Sequence, residues 1–296
     1  MPFKLPRAYV YAGLTLAMWA TVATAFKLTL AVATVIQTLW ISTLVSCIAL
    51  ICICAVKGQI PQLLPALKRS FKVTMTAAVL NPVAYYLILF EAYDRLPAQL
   101  AQPINITWTI VLALMAGLIL KQPVRWVDYL AALIGFFGVL IIVSQGDLNF
   151  VSSADWWGVF LAVGSTVIWA GYWTLNVVDH REPLVGMTLN FLFAMPLIGV
   201  LWSLEGSGWP PVDGWLGGAY IGLFEMSLAF YCWSLALKAT DNTAKISNLI
   251  FLSPFISLQL IGWILGESIH MTTYLGLIVI LLGIIWQQRW HALKNH

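Results

Sequence analysis

Glu225 is an acidic residue in a place where a charge is costly. An apolar run from Leu216 to Phe224 precedes it, and a second run from Met226 to Leu237 follows it. A carboxylate at the centre of a bilayer costs several kcal/mol unless it is solvated, paired or protonated, so such a residue usually faces a cavity or a neighbouring helix. Two functional roles fit this position: Glu225 anchors a cationic group of a ligand, or it exchanges a proton. A structural hydrogen bond to a neighbouring helix is the third interpretation.

Amide side chains also occur inside apolar runs. Gln102 and Asn105 are three residues apart and therefore share one helix face, while Asn81 and Tyr85, four residues apart, share another. Asn248 lies in a later apolar run. Such side chains can line a polar cavity, but within a membrane they equally join helices through hydrogen bonds. Both interpretations stay open for each of these amides.

Several aromatic residues lie within the apolar runs rather than at their ends, among them Trp19, Tyr85, Trp108, Trp169, Tyr172 and Tyr231. Aromatic rings can line a pocket for a planar ring or a cation. Packing against lipid or other helices is the alternative for each ring. The candidate ligand-binding residues are therefore Asn81, Tyr85, Gln102, Asn105, Trp108, Trp169, Tyr172, Glu225 and Asn248.

The elements that must position these residues are membrane-spanning helices. Of the 296 residues, 61% are hydrophobic and 9% are charged, whereas a soluble domain has about 25% charged residues. This composition excludes a soluble enzyme, a secreted disulfide scaffold and a nucleic-acid binder. Apolar runs of the length that a helix needs to cross a bilayer predict ten spans, at 9–28, 33–56, 71–92, 96–120, 127–145, 156–176, 184–204, 215–237, 243–266 and 271–288.

The distribution of Lys and Arg predicts the orientation of these spans. With the N-terminus in the cytoplasm and ten alternating spans, 13 of the 15 Lys and Arg residues fall on the cytoplasmic side, and Lys27 and Arg95 are the exceptions. Cytoplasmic loops of membrane proteins carry such an excess of positive charge. We therefore expect a multi-pass protein of the plasma (inner) membrane with both termini in the cytoplasm.

The chain also matches itself when it is shifted by 145 residues. The matched pairs include Gly117 with Gly262, Tyr129 with Tyr274, Gly138 with Gly283, and Tyr85 with Phe230. Trp19 matches Trp169 at a shift of 150 instead, so the register of the first helix pair is ambiguous. Residues 1–145 (helices 1–5) and 146–296 (helices 6–10) are therefore expected to be two repeats. Because five is odd, the repeats enter the membrane in opposite directions, and the predicted fold is an all-α membrane protein of two inverted five-helix repeats.

Short motifs occur in order along the chain: Asn81-Pro82, Pro97-Ala98-Gln99, Phe224-Glu225-Met226, Ser253-Pro254 and Gly266-Glu267. With these motifs the chain resembles the EamA-type permeases of the drug/metabolite transporter (DMT) superfamily over nearly its whole length. Two places depart from the family pattern, since Thr109 replaces a usual Pro and Lys121-Gln122 replaces the acidic residue that would match Glu267. The resemblance implies ten helices, cytoplasmic termini, and export of small metabolites or amino acids. By the same resemblance, the aromatic amino acid exporters are a suggested functional analogue.

The predicted function is a secondary active or facilitative transporter, with export as the expected direction, that moves small organic metabolites such as amino acids by alternating access around a midplane cavity. The alternatives are an intramembrane enzyme or a channel on a similar helical bundle. The sequence contains no HExxH or GxSxG motif, no Walker motif and no TVGYG-like filter. We therefore expect no catalytic residue, metal or cofactor. The expected partners are a small-molecule substrate, membrane lipid and, if Glu225 couples transport, protons; no nucleic acid is expected.

Overall fold

The structure is a computed structural model that describes residues 7–120, 125–146, 155–239 and 249–294, and the regular elements of these ranges are all helical. The α-helices are α1 (Arg7–Leu30), α2 (Val35–Val56), α3 (Ile60–Arg69), α4 (Phe71–Ala78), α5 (Tyr85–Arg95), α6 (Ala98–Asn105), α7 (Trp108–Leu120), α8 (Trp126–Ser144), α9 (Trp156–Val178), α10 (Pro183–Glu205), α11 (Val212–Tyr220), α12 (Phe230–Lys238), α13 (Ser253–Leu260) and α14 (Met271–Lys294). Wider π-helical turns at Val79–Ala84 and Ile221–Ala229 connect α4 to α5 and α11 to α12, and a third, Ile261–Leu265, extends α13.

Eight of the resulting helices are long and apolar enough to cross a membrane: Arg7–Leu30, Val35–Val56, Phe71–Arg95, Trp126–Ser144, Trp156–Val178, Pro183–Glu205, Val212–Ala236 and Met271–Leu293. Their outward faces carry large apolar side chains. Phe136, Phe160 and Leu282, for example, are more than half exposed, which suits a surface solvated by lipid. The protein is therefore an integral, multi-pass membrane protein built from helices, as the sequence predicts.

The two other predicted spans look different in the structure. The span expected at 96–120 is divided into α6 and α7 by a turn at Ile106 and Thr107. The span expected at 243–266 begins outside the described residues, and its described helical part runs from Ile250 to Leu265. The count of ten membrane helices stays a prediction.

The helix of residues 71–95 is interrupted in its middle. Asn81 has extended backbone angles (φ −145°, ψ 120°), and a cis peptide bond joins it to Pro82. Proline has no N–H to donate and disfavours helical angles in the residue before it. The motif Asn81-Pro82 therefore divides this span into α4 and α5.

The chain divides into two units, and each takes segments from both halves of the sequence. The first unit comprises Met1–Val83 and Arg181–Gly266. In it, α1 packs against α11, α12, α13 and the turn at 221–229, while α2 packs against α10 and α11. The second unit comprises Ala84–His180 and Glu267–His296. In it, α9 packs against α5, α6 and α7, while α14 packs against α8.

Glycines allow the closest helix crossings in both units. In the first unit, a Cβ atom on Gly222 would overlap the carbonyl oxygen of Ser42 in α2. In the second unit, a Cβ atom on Gly276 would lie 2.5 Å from the carbonyl oxygen of Gly138, and one on Gly138 would lie 2.9 Å from the carbonyl oxygen of Gly276. Small residues let helix backbones approach in this way, and the contact between close backbones stabilises helix association in lipid.

Candidate functional site

Rings from three helical segments meet in the second unit. Tyr85 of α5 stacks on Trp169 of α9, with ring centroids 4.4 Å apart and planes 23° apart. Tyr172 stacks on the same Trp169 at 5.6 Å, and Trp108 of α7 meets it edge to face at 6.4 Å. Trp169 and Tyr172 are one turn apart on α9, so their side chains lie on one face of that helix. The structure thus brings together four of the predicted ligand-binding residues.

Trp173 belongs to the same group, although it is absent from the sequence prediction. Its ring lies nearly parallel to that of Trp108, 6.3 Å away, and at a right angle to that of Trp169, 5.8 Å away. Its Nε1 atom is buried and has no hydrogen-bond partner within the described ranges. The spacing of four residues from Trp169 is the signal in the sequence that could have revealed it. Tyr85, Trp108, Trp169, Tyr172 and Trp173 are named the aromatic cluster below.

A neutral polar group adjoins the aromatic cluster. The amide of Asn105 in α6 donates to the hydroxyl of Ser165 at 3.0 Å, and the Tyr85 hydroxyl donates to the Asn105 carbonyl oxygen at 3.4 Å. Ser165 is fully buried and precedes Trp169 by one turn of α9. One turn before Asn105, the Oε1 atom of Gln102 is buried without a hydrogen-bond partner in the part of the chain that the structure describes. Flat rings beside neutral donors and acceptors suit a planar ligand with a polar edge.

The predicted site residues Glu225 and Asn81 belong to the first unit. Glu225 is 8% exposed and lies in the middle of the π-helical turn 221–229. The residue after it, Met226, accepts a hydrogen bond from Ser46 of α2 at 3.2 Å through its carbonyl oxygen. Asn81 is 1% exposed at the interruption between α4 and α5. π-Helical turns inside α-helices are frequent at functional sites, which keeps Glu225 a candidate. The last predicted site residue, Asn248, lies outside the described residues.

A second buried acid, Asp128, is absent from the residues predicted from the sequence. Its carboxylate is almost fully buried near the start of α8 and accepts from the Arg125 N–H at 2.8 Å. Two side chains of α14 complete its surroundings, since the Gln287 amide donates to it at 2.8 Å and Nε2 of His291 lies 2.7 Å away. Gln287 and His291 lie 159 and 163 residues away from Asp128 in sequence, so no spacing along one helix predicts these two contacts. These hydrogen bonds join α8 to α14. None of them involves a residue of the aromatic cluster.

Comparison with curated proteins finds transporters. The chain is 26% identical over 178 residues to an uncharacterized transporter of Clostridium kluyveri, covering 57% of each protein. It is 25% identical over 226 residues to the uncharacterized transporter YvbV of Bacillus subtilis, covering 74% of this chain and 72% of that one. It is 23% identical over 180 residues to the aromatic amino acid exporter YddG of Ancylobacter novellus, covering 60% and 62%. The matches to the clostridial protein and the exporter thus span less than two thirds of those proteins.

A solved crystal structure shares the fold. Its TM-score with this chain is 0.63 at 18% sequence identity, and the superposition covers 96% of this chain and 98% of the other. The description of the matching family model is EamA-like transporter family, and it matches twice, over residues 6–144 and over residues 156–287. Since these two matches cover most of the sequence, this multi-pass membrane protein belongs to the EamA-like transporter family.

Proposed function

We propose that the protein is a secondary transporter, active or facilitative, that exports small organic metabolites such as amino acids by alternating access around a cavity at the bilayer midplane. The observation that carries this proposal is the aromatic cluster beside Asn105. Stacked rings at membrane depth with a neutral polar edge suit the reversible binding of a small amphipathic solute, and membership of a transporter family supplies the class of function.

The chemistry of the cluster favours a substrate with a planar ring. Tyr85 and Trp169 already stack on each other with ring centroids 4.4 Å apart, and a further aromatic ring packs favourably against the edges of such a cluster. Asn105 and Gln102 supply both amide donors and acceptors for the polar part of such a molecule. The name of the Ancylobacter relative, an aromatic amino acid exporter, agrees with this chemistry. Aromatic amino acids are therefore the first substrates to test.

Contacts within each unit support the inverted repeat of residues 1–145 and 146–296. In the first unit, Trp19 of α1 contacts Phe230 of α12, with ring centroids 5.7 Å apart. In the second unit, Trp169 of α9 contacts Tyr85 of α5. A shift of 145 residues pairs Tyr85 with Phe230, and a shift of 150 pairs Trp19 with Trp169. Two repeats that make equivalent contacts can each adopt the conformation of the other at similar energy. This interchange of conformations is the basis of alternating access.

The proposed location is the plasma (inner) membrane with both termini in the cytoplasm. The position of 13 of the 15 Lys and Arg residues supports it. Reporter domains fused to each terminus, one active only in the cytoplasm and one only outside, test this orientation. A C-terminal reporter that is active outside would contradict the ten-helix arrangement.

Counterflow in liposomes tests the transport function. Purified protein is reconstituted, loaded with unlabelled solute and mixed with labelled phenylalanine, tryptophan, a nucleoside or an organic cation, with and without a pH gradient. We expect saturable uptake of an aromatic amino acid. Flux that grows linearly with concentration would favour the channel, and chemical conversion of the solute would favour the intramembrane enzyme. No uptake of any solute would refute the proposal.

A matched pair of tryptophan variants tests the aromatic cluster. Trp169→Leu removes the ring on which Tyr85 and Tyr172 stack, so we expect KM for the transported amino acid to rise about tenfold. Trp263→Leu is the control, because Trp263 is 83% exposed in the turn at 261–265. Equal kinetics of the two variants, each normalised to folded protein, would contradict a role of the aromatic cluster in binding.

Glu225→Gln distinguishes the roles of this acid. If Glu225 couples transport to protons, the variant loses its dependence on a pH gradient and keeps substrate counterflow, since exchange of substrate for substrate moves no net proton. If Glu225 anchors an amine of the substrate, counterflow itself is lost. Rates and pH dependence equal to those of the unmodified protein would show that the carboxyl group is only structural.

A further inference from the structure

A carboxylate from a distant part of the sequence holds the start of α6. Within the second unit, the Oε1 atom of Glu267 accepts from the Ala98 N–H at 2.9 Å, and its Oε2 atom accepts from the Gln99 N–H at 3.1 Å. The first N–H groups of a helix have no partner inside the helix. A negative charge at this end is also favoured by the helix dipole. Glu267 therefore caps α6 with both of its oxygens.

The side chain of Gln99 strengthens the same junction. Gln99 is 4% exposed, and its amide donates to the Ser268 carbonyl oxygen at 2.9 Å. Its Oε1 atom accepts from the His270 N–H at 3.1 Å and from the hydroxyl of Thr273, in the first turn of α14, at 3.3 Å. Together with the two bonds of Glu267, these contacts join α6 to the segment 267–273. We name these contacts the α6 clamp.

The other end of α6 is a break in the helix. Thr107 donates to the Ile104 carbonyl oxygen through both its N–H, at 3.1 Å, and its hydroxyl, at 2.8 Å. These bonds over three residues form a tight turn between α6 and α7. The short helix α6 is thus held at its start and separated from α7 at its end, and it carries Gln102 and Asn105.

We infer that Glu267 and Gln99 are positioning residues of the transport site, which make α6 and the start of α14 one rigid piece and so place Gln102 and Asn105 against the substrate. The turn at Ile106 and Thr107 is then the pivot between α6 and α7. This inference rests on the proposed function, because the substrate is the molecule being positioned. By the shift of 145 residues, Gln122 takes the place of Glu267 in the first half.

The variants Glu267→Ala, Glu267→Gln and Gln99→Ala test this inference in two measurements. Glu205→Ala is the control, since Glu205 is a glutamate of the first unit whose carboxylate accepts a hydrogen bond from the Thr34 hydroxyl at 2.9 Å. The first measurement is hydrogen exchange of the backbone amides in nanodiscs, which needs no substrate. We expect the amides of 98–101 to exchange about tenfold faster in Glu267→Ala than in the control.

The second measurement is counterflow of tritiated phenylalanine. A small displacement of binding groups weakens substrate contacts strongly, so we expect KM to rise about fivefold or more in Glu267→Ala and Gln99→Ala. The maximal rate per folded protein should stay within about a factor of two. A general folding defect would lower the amount of folded protein without raising its KM. Glu267→Gln should lie between, because an amide oxygen can accept only part of the two backbone bonds.

The results separate the clamp from the proposed function. Unchanged exchange at 98–101 would refute the α6 clamp whatever is transported. Faster exchange with unchanged KM would refute the positioning role, since α6 would then be loosened without effect on the substrate. If the unmodified protein gave no counterflow, the proposed function would be refuted, and the positioning role would be refuted with it. The hydrogen-exchange experiment would still test whether the α6 clamp exists.

Discussion

Substitution of Gly222 by alanine places a methyl group where two helices touch. The added Cβ would overlap the Ser42 carbonyl oxygen and lie 3.0 Å from both the carbonyl carbon and the Cα of Ser42. These are backbone atoms, so no side-chain rotation relieves the clash. The π-helical turn 221–229 and α2 would have to move apart. We therefore expect Gly222→Ala to weaken the packing of α2 in the first unit.

The size of the effect follows from two opposing terms. Overpacking costs about 1–3 kcal/mol, and a contact with immobile backbone belongs at the upper end of that range. Alanine returns up to about 1 kcal/mol because it favours helix more than glycine does. The net loss is about 2 kcal/mol. At roughly 2–4 °C for each kcal/mol in a protein of this size or slightly smaller, the melting midpoint should fall by about 5 °C.

Thermal unfolding in detergent, followed by a thiol-reactive dye or by size-exclusion after heating, measures this shift. Gly164→Ala in α9 is the control, because a Cβ there meets no heavy atom within 4 Å. That variant should melt at the same temperature as the unmodified protein or slightly above it. If Gly222→Ala melted as high as Gly164→Ala, the close contact between residue 222 and α2 would be wrong.

Three further predictions concern the second unit. Asp128→Ala leaves the buried Gln287 amide, the Arg125 N–H and the His291 ring without their acceptor, so it should lower stability by about 3 kcal/mol, measured as a fall of the melting midpoint; an unchanged midpoint would refute this. Arg95→Ala removes pairs with Glu91 at 2.7 Å and Asp155 at 3.6 Å whose side chains are more than a third exposed, so the melting midpoint should stay close to that of the unmodified protein because solvent screens such pairs; a clear fall of the midpoint would refute this. Tyr85→Phe keeps the stacked ring and loses one long hydrogen bond, so its KM for the transported amino acid should rise less than about threefold. Tyr85→Leu removes the ring and should resemble Trp169→Leu. Equal effects of the two Tyr85 variants would show that the hydroxyl group, rather than the ring, matters.

The sequence by itself determines that this is a membrane protein and where most of its helices run. The eight long apolar helices of the structure coincide with eight predicted spans to within a few residues. This works because the transfer of each side chain into lipid contributes separately, so a sum over about 20 neighbouring residues is enough to identify a span. For the same reason, Glu225, Asn105 and Trp169 can be named as residues at membrane depth without knowledge of their neighbours.

The tertiary structure alone decides which of these residues meet. Asn105 and Ser165 are 60 residues apart in sequence, and the carboxylate of Glu267 caps a helix that begins 169 residues before it. The division of one predicted span into α6 and α7 likewise becomes visible only in the folded chain. Contacts between helices in lipid depend on close packing and on pairs of polar groups. Such pairs are properties of two distant segments together, and a pattern read along one segment cannot contain them.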